Sequence, residues 1–184
     1  LDSKLTYKYD RKGNVIEMAI YKADGSLDRK TVYRFDLKGN KVGEVTYKGD
    51  GSLFSKWVLI YDDNGNVIEF IIYRGDGSFD SRWTYKYNIN GKKIENSSYN
   101  EDGKLKYKVI YNYDISGNMV DESTYNENGP TNYKLIYKYD SRGNRIEMLT
   151  YKKDGTLYVK RVYKYDAKSN MIEEARYKRE ERYG

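Results

Sequence analysis

Among its 184 residues the chain has no cysteine, no histidine and one proline. Without cysteine there is neither a disulfide framework nor a thiolate metal site. Without histidine the commonest metal ligand and the usual general base at neutral pH are gone. The residues therefore point to no metal, no cofactor and no enzyme. No apolar run approaches the ~18 residues of a membrane span, and no basic segment followed by an apolar stretch opens the sequence. Apolar residues make up only 38% and charged residues 34%, so much of the chain must stay wet. What is abundant is tyrosine, with 23 copies. Tyrosine favours pleated, half-buried surfaces, where its ring packs while its hydroxyl reaches water. The net charge of +6 is spread along the chain rather than blocked, as solubility requires.

The dominant signal is repetition at a fixed 26-residue period, seven times over, with no insertion or deletion. An aromatic stands at Tyr9, Phe35, Tyr61, Tyr87, Tyr113, Tyr139 and Tyr165, each followed by Asp or, once, Asn88. Glycine comes four residues after each aromatic, except at Ser169. A second series runs from Tyr21 to Tyr177, and Gly25 and its equivalents up to Gly155 follow it. The seventh copy loses this turn and ends in a charged tail from Lys178 to Gly184, as suits a terminal repeat without a neighbour. Residues 1–184 thus read as one tandem-repeat domain, with Leu1 aligned to Leu27 in mid-repeat so that upstream sequence is plausible.

Asp24-Gly25, Asn64-Gly65 and Asn90-Gly91 are hairpin signals of the type I′ kind. Such turns cannot carry the chain to a parallel neighbour, so they predict an antiparallel meander of about fourteen strands. With Lys12-Gly13 as a two-residue loop, Tyr9 faces Ile16, Tyr7 faces Met18, Leu5 faces Ile20 and Lys8 faces Glu17. With Asp24-Gly25 as the next, Ile16 faces Tyr33 and Met18 faces Thr31. Both registers put the same residues on one face, and a one-residue slip would undo that agreement. Face one is apolar and aromatic, carrying Leu5, Tyr7, Tyr9, Ile16, Met18, Ile20 and their equivalents. Face two carries rows equivalent to Lys4, Lys8, Glu17 and Tyr21, a solvated charge ladder. Positions equivalent to Met18 include Glu44, Asn96, Glu122 and Glu174, which a sealed core would not accept unpaired. The fold expected is all-β, a curved and largely open single-layer sheet, its apolar stretches covered by partial curling or by a second copy. Pro130 lacks the N–H that the ladder needs, and Thr131 replaces the usual leucine, so distortion or mobility is expected there.

The motif formed by Tyr7, Tyr9, Asp10, Gly13, Asn14, Asp24, Gly25 and Leu27 resembles the YD repeats of the Rhs family of bacterial surface and toxin proteins. It covers nearly the whole chain. The resemblance implies strands wound into a shell around a cargo, of which seven repeats are too few to enclose one. No counterpart of the family's autoproteolytic core or toxin segment is present in the sequence.

Departures from the repeat mark the candidate site. Trp57 and Trp83, the only tryptophans, share a repeat position, and the register sets Phe70 opposite both Leu59 and Trp83, with Ile72 opposite Trp57. With Tyr85 these residues form one apolar patch. It reads either as a hot spot for a partner protein or a stacking platform for sugar rings, or as mid-sheet core or a homodimer contact. Carboxylates at Glu69, Glu95 and Asp121 lie on one face and could read as a catalytic pair, but their equivalents recur along the repeats and read as solvated ladder. The Asp10-x-x-Gly13-Asn14 run lacks the acid spacing of a calcium loop. Nucleic acid fits less well, because aromatic and lysine rows mostly occupy opposite faces and glutamates interrupt the lysines. The expectation is a bacterial module at the cell surface, outside the cell or in the periplasm, binding carbohydrate or protein. The alternative is a fragment of a larger shell or scaffold with no ligand of its own.

Overall fold

The computed structural model describes residues 2–178. Leu1, whose alignment in mid-repeat was noted above, and the charged tail at 179–184 lie outside the described residues, as do the side chains at 131 and 132. The first strands are β1 (Ser3–Tyr9), β2 (Val15–Lys22), β3 (Leu27–Phe35), β4 (Lys41–Lys48), β5 (Leu53–Tyr61), β6 (Val67–Tyr73) and β7 (Phe79–Tyr87). The remainder are β8 (Lys93–Tyr99), β9 (Leu105–Tyr113), β10 (Met119–Asn126), β11 (Gly129–Tyr139), β12 (Arg145–Tyr151), β13 (Leu157–Tyr165) and β14 (Met171–Lys178). They form one fourteen-stranded sheet whose order follows the chain, with β1 and β14 as its ends. The expected open antiparallel meander is what the chain forms. The described residues contain no helix. Contacts cluster into two compact units, the first running to Tyr85 and including Ser98–Lys104, the second made of Lys86–Ser97 and the chain from Leu105 on.

Within the strand bodies the register is the expected one. Leu5, Tyr7 and Lys8 pair with Ile20, Met18 and Glu17, and Met18 pairs with Thr31. The hairpin ends differ. Tyr9 pairs with Val15, not Ile16, because the loop holds three residues rather than two. Asp10 C=O accepts from Gly13 N–H at 3.2 Å while Asp10 N–H donates to Asn14 C=O at 2.9 Å. Only Gly13 has positive φ, at 85°. The turn is therefore type I closed by a left-handed glycine, not type I′, which needs two positive-φ residues. The same holds at Gly25, where Gly25 N–H donates to Lys22 C=O at 3.0 Å. A one-residue bulge beside each such turn then restores the body register, which is why the two-residue assumption still placed the faces correctly.

The Tyr-Asp-x-x-Gly-Asn motif now has a physical meaning. Asp10 Oδ1 accepts from Lys12 N–H and Asn14 N–H, and its Oδ2 accepts from the Asn14 amide at 2.9 Å. The aromatic before it is a tie between repeats. The hydroxyls of Tyr61, Tyr113, Tyr139 and Tyr165 donate to the backbone carbonyls of Lys41, Lys93, Met119 and Arg145, each twenty residues upstream, at 2.7–3.0 Å. These carbonyls belong to the residue that opens each bulged strand. Along the turn row, Lys12 and Lys38 reach the carbonyls of Leu37 and Asp63, one repeat on, and Arg142 reaches that of Ala167.

Face two is the anticipated ladder. Glu147 sits between Lys138 and Lys160, 2.7 Å from each, and Lys8 holds Glu17 at 2.8 Å. Lys4 lies over the Tyr21 ring at 5.9 Å and Lys56 over Tyr73 at 4.6 Å, long stems covering aromatic surface. At Pro130 the expected distortion is present. Tyr125 pairs with Pro130, but Ser123 pairs with Lys134, so the register slips by two residues where the other hairpins slip by one.

The turn carboxylates predict an acid limb. Hydrogen bonds from Asn14 and Ser26, side chain and backbone, hold Asp10 and Asp24 below the ordinary value of 3.8, and the equivalent bonds do so at Asp62, Asp76 and Asp140. A carboxylate whose folded pKa is depressed contributes stability that is complete above its unfolded pKa and lost as pH falls through the folded value. Denaturation midpoints are expected to be flat near neutrality and to fall progressively once pH drops below about 4. Asn88 makes the same backbone bonds with a neutral amide, at 3.0 and 2.9 Å. Changing Asp10, Asp62 and Asp140 together to Asn should therefore keep the turns and flatten the acid limb. For the hydroxyl ties, Tyr113→Phe should cost about 1 kcal/mol in urea denaturation. Phe35→Tyr, which supplies the one aromatic of the series that lacks a hydroxyl, should recover a comparable amount.

Candidate functional site: the aromatic face of β5 to β7

The sequence-predicted patch assembles within the first unit, and all six of its residues are half-buried. Trp57 pairs with Ile72, Leu59 with Phe70, and Phe70 with Trp83, as the register required. Phe70 is the centre. It meets Trp57 edge-on, with centroids 6.0 Å apart at 70°, and stacks on Trp83 at 5.4 Å and 26°. Both geometries are favoured by the ring quadrupole and add to the area buried. Tyr85 stands two residues beyond Trp83 on β7 and extends the same face.

Sequence reading missed a polar border. Lys41 Nζ lies 4.2 Å from the Tyr33 ring centroid and 4.8 Å from that of Trp57, and bonds Glu44 at 2.8 Å. Simple alternation does not bring residues three apart in a strand together. The bulge at the start of β4 breaks that alternation and re-aims Lys41 onto face one. Burial first, and then the Glu44 charge, raise the Tyr33 hydroxyl above its ordinary pKa. The second unit repeats this arrangement with Arg145, 5.6 Å from the Tyr137 ring and 5.0 Å from Tyr163. Tyr137 is 6% exposed, and burial followed by the charge of Glu122 pushes its pKa up to about 12.

The paired-carboxylate reading finds no support in geometry. Glu69 is paired with Arg82 at 3.5 Å, Glu95 with Lys86 at 3.0 Å and Asp121 with Lys134 at 3.5 Å. Among the described residues no group of three or more acidic side chains is placed to hold a metal ion. A concavity the sequence did not reveal opens beside Pro130. It is a cleft of about 360 Å³ lined by Tyr125, Pro130, Tyr133, Ile136 and Tyr151 among others. The proline signalled the register slip, while the space that the slip leaves depends on side chains from β12.

The class defined by this architecture is a tandem β-hairpin array, one layer thick, with a repeating two-faced surface. No protein-family description matches the chain, and no curated protein does. Solved structures do. The Tc holotoxin pore of Photorhabdus luminescens matches 95% of this chain with a TM-score of 0.68 at 18% identity, over 9% of its own length. The TcdB2-TccC3-Cdc42 crystal structure matches 93% with a TM-score of 0.50 at 16% identity, over 11% of its own length. The likeness is one of fold, and this chain spans about a tenth of either relative. The match to a Tc holotoxin agrees with the resemblance of the Tyr-Asp motif to the YD repeats of the Rhs family.

The patch makes a stability prediction. Phe70→Ala should cost about 2 kcal/mol in urea denaturation, below the fully buried range because the ring is only half-buried. Leu37, 96% exposed in a turn, should tolerate alanine within about 0.5 kcal/mol.

Proposed function

We propose that this chain is a wall or scaffold segment of a Tc- or Rhs-type toxin shell, with no small-molecule ligand of its own. The observation that carries the reading is the fold match over 95% of the chain to a stretch of the Tc holotoxin. The chemistry supports it. The carboxylates of the charge ladder are held by cations, and the aromatic residues pack strand against neighbouring strand. Such a segment works by persistence: the turns, hydroxyl ties and cross-strand pairs hold a sheet whose two faces differ in polarity. The reading carries with it an extracellular, cell-surface or periplasmic setting for the segment.

A second reading has one specific observation behind it. Trp57, Phe70 and Trp83 form a contiguous, half-exposed ring surface bordered by Lys41 and Glu44, chemistry suited to sugar rings or to a protein hot spot. The patch could equally meet a second copy. Glycan and surface-protein arrays probed with the full chain decide between the readings. The scaffold reading expects no reproducible binding. Binding that the Trp57→Ala, Trp83→Ala double variant abolishes, in a variant whose β-sheet circular dichroism is retained, would overturn it in favour of the second.

A further inference from the structure

The ladder on face two has a fixed grammar, and one repeat breaks it. Each rung is an acid flanked by the residue opposite on the preceding strand and by a cation diagonally placed on the following one. In the sixth repeat the rung is Lys138, Glu147 and Lys160, with the carboxylate 2.7 Å from both ammonium groups. The third repeat has Ile60 and Arg82 around Glu69, and the fifth has Asn112 and Lys134 around Asp121, so an acid is kept even where only one flanking residue is cationic. In the second repeat the flanking residues are Arg34 and Lys56, both cations, and the acid is replaced by Gly43. The register is the same: Arg34 pairs with Gly43, Gly43 pairs with Val58, and Lys56 stands two residues from Val58 on the same face.

Two positive charges therefore flank a position from which the compensating carboxylate is missing. The acids of the neighbouring rungs are held by their own cations: Glu17 by Lys8 at 2.8 Å and Glu69 by Arg82 at 3.5 Å. Arg34 is exposed, and Lys56 is half-buried with its ammonium 4.6 Å from the centroid of the Tyr73 ring, a contact an anion would compete with. A Cβ on Gly43 would lie 3.0 Å from the Trp57 carbonyl oxygen, so the backbone itself resists a side chain that could refill the gap.

We infer that Arg34 and Lys56, across the floor made by Gly43, form a binding site for a phosphate- or sulfate-class oxyanion, taking the place that the Glu147 carboxylate occupies between Lys138 and Lys160. The guanidinium offers a planar fork to two oxygens and the ammonium a point charge to a third. The site is independent of the shell reading, since it rests on a single rung rather than on the fold match.

The test is a titration of the full chain with inorganic phosphate at constant ionic strength, followed by amide chemical shifts, with glucose 6-phosphate as a parallel arm. Saturable shifts centred on Arg34, Gly43 and Lys56 are expected. The Arg34→Gln, Lys56→Gln variant should weaken binding about tenfold or more through loss of two charge contacts. Glu147→Gly, which recreates the vacant rung between Lys138 and Lys160, should introduce a second saturable response there. Tighter binding of the ester than of inorganic phosphate would mark a phosphorylated sugar or similar carrier as the source, and the reverse would mark the free ion. Shifts that stay linear and scatter over all basic residues, or that the double variant leaves unchanged, overturn the site. So does a folded Glu147→Gly chain with no second response.

Discussion

Everything in this sheet depends on how a residue at positive φ, glycine at every such turn but that of Ser169, closes each hairpin. The described residues include no helix and no second layer, so burial alone cannot choose between registers as it would in a sandwich. The choice is made at the turn, where the Asp10 carboxylate gathers the Lys12 and Asn14 amides and Gly13 turns back at a φ of 85°. Once the turn is set, the bulge beside it fixes the pairing of the strand bodies. Pairing then fixes which side chains meet, and so the separation of charge from aromatic surface.

The parts of the fold with a two-residue period were legible in the sequence. Pairings such as Leu5 with Ile20 and Leu59 with Phe70 follow from alternation and the 26-residue repeat alone. Loop length was not legible, because a two-residue turn and a three-residue turn followed by a bulge give the same body register. That degeneracy hid Lys41, which alternation would send to the wrong face and which instead lies between Tyr33 and Trp57. Pro130 announced its own disturbance, since a missing N–H is written in the residue type. Gly43 was visible as a letter, but its meaning required the rung geometry seen at Glu147.

The aromatic patch shows how one set of contacts serves two readings. Stacking Phe70 on Trp83 removes apolar area from water within the sheet, while both rings stay only partly buried. In a single layer the residues that hold neighbouring strands together are also those the protein presents outward. Cohesion and recognition then draw on the same side chains.

The tyrosine ties also give the array a direction. The Lys41 carbonyl is met by the hydroxyl of Tyr61, and that of Met119 by Tyr139, always from the repeat made later. During synthesis a finished hairpin therefore emerges with one polar group still exposed to water, and the next hairpin to leave the ribosome supplies its partner. Where the tie is made, a repeat becomes complete only on arrival of its successor, an order of contacts that suits growth from amino to carboxyl end.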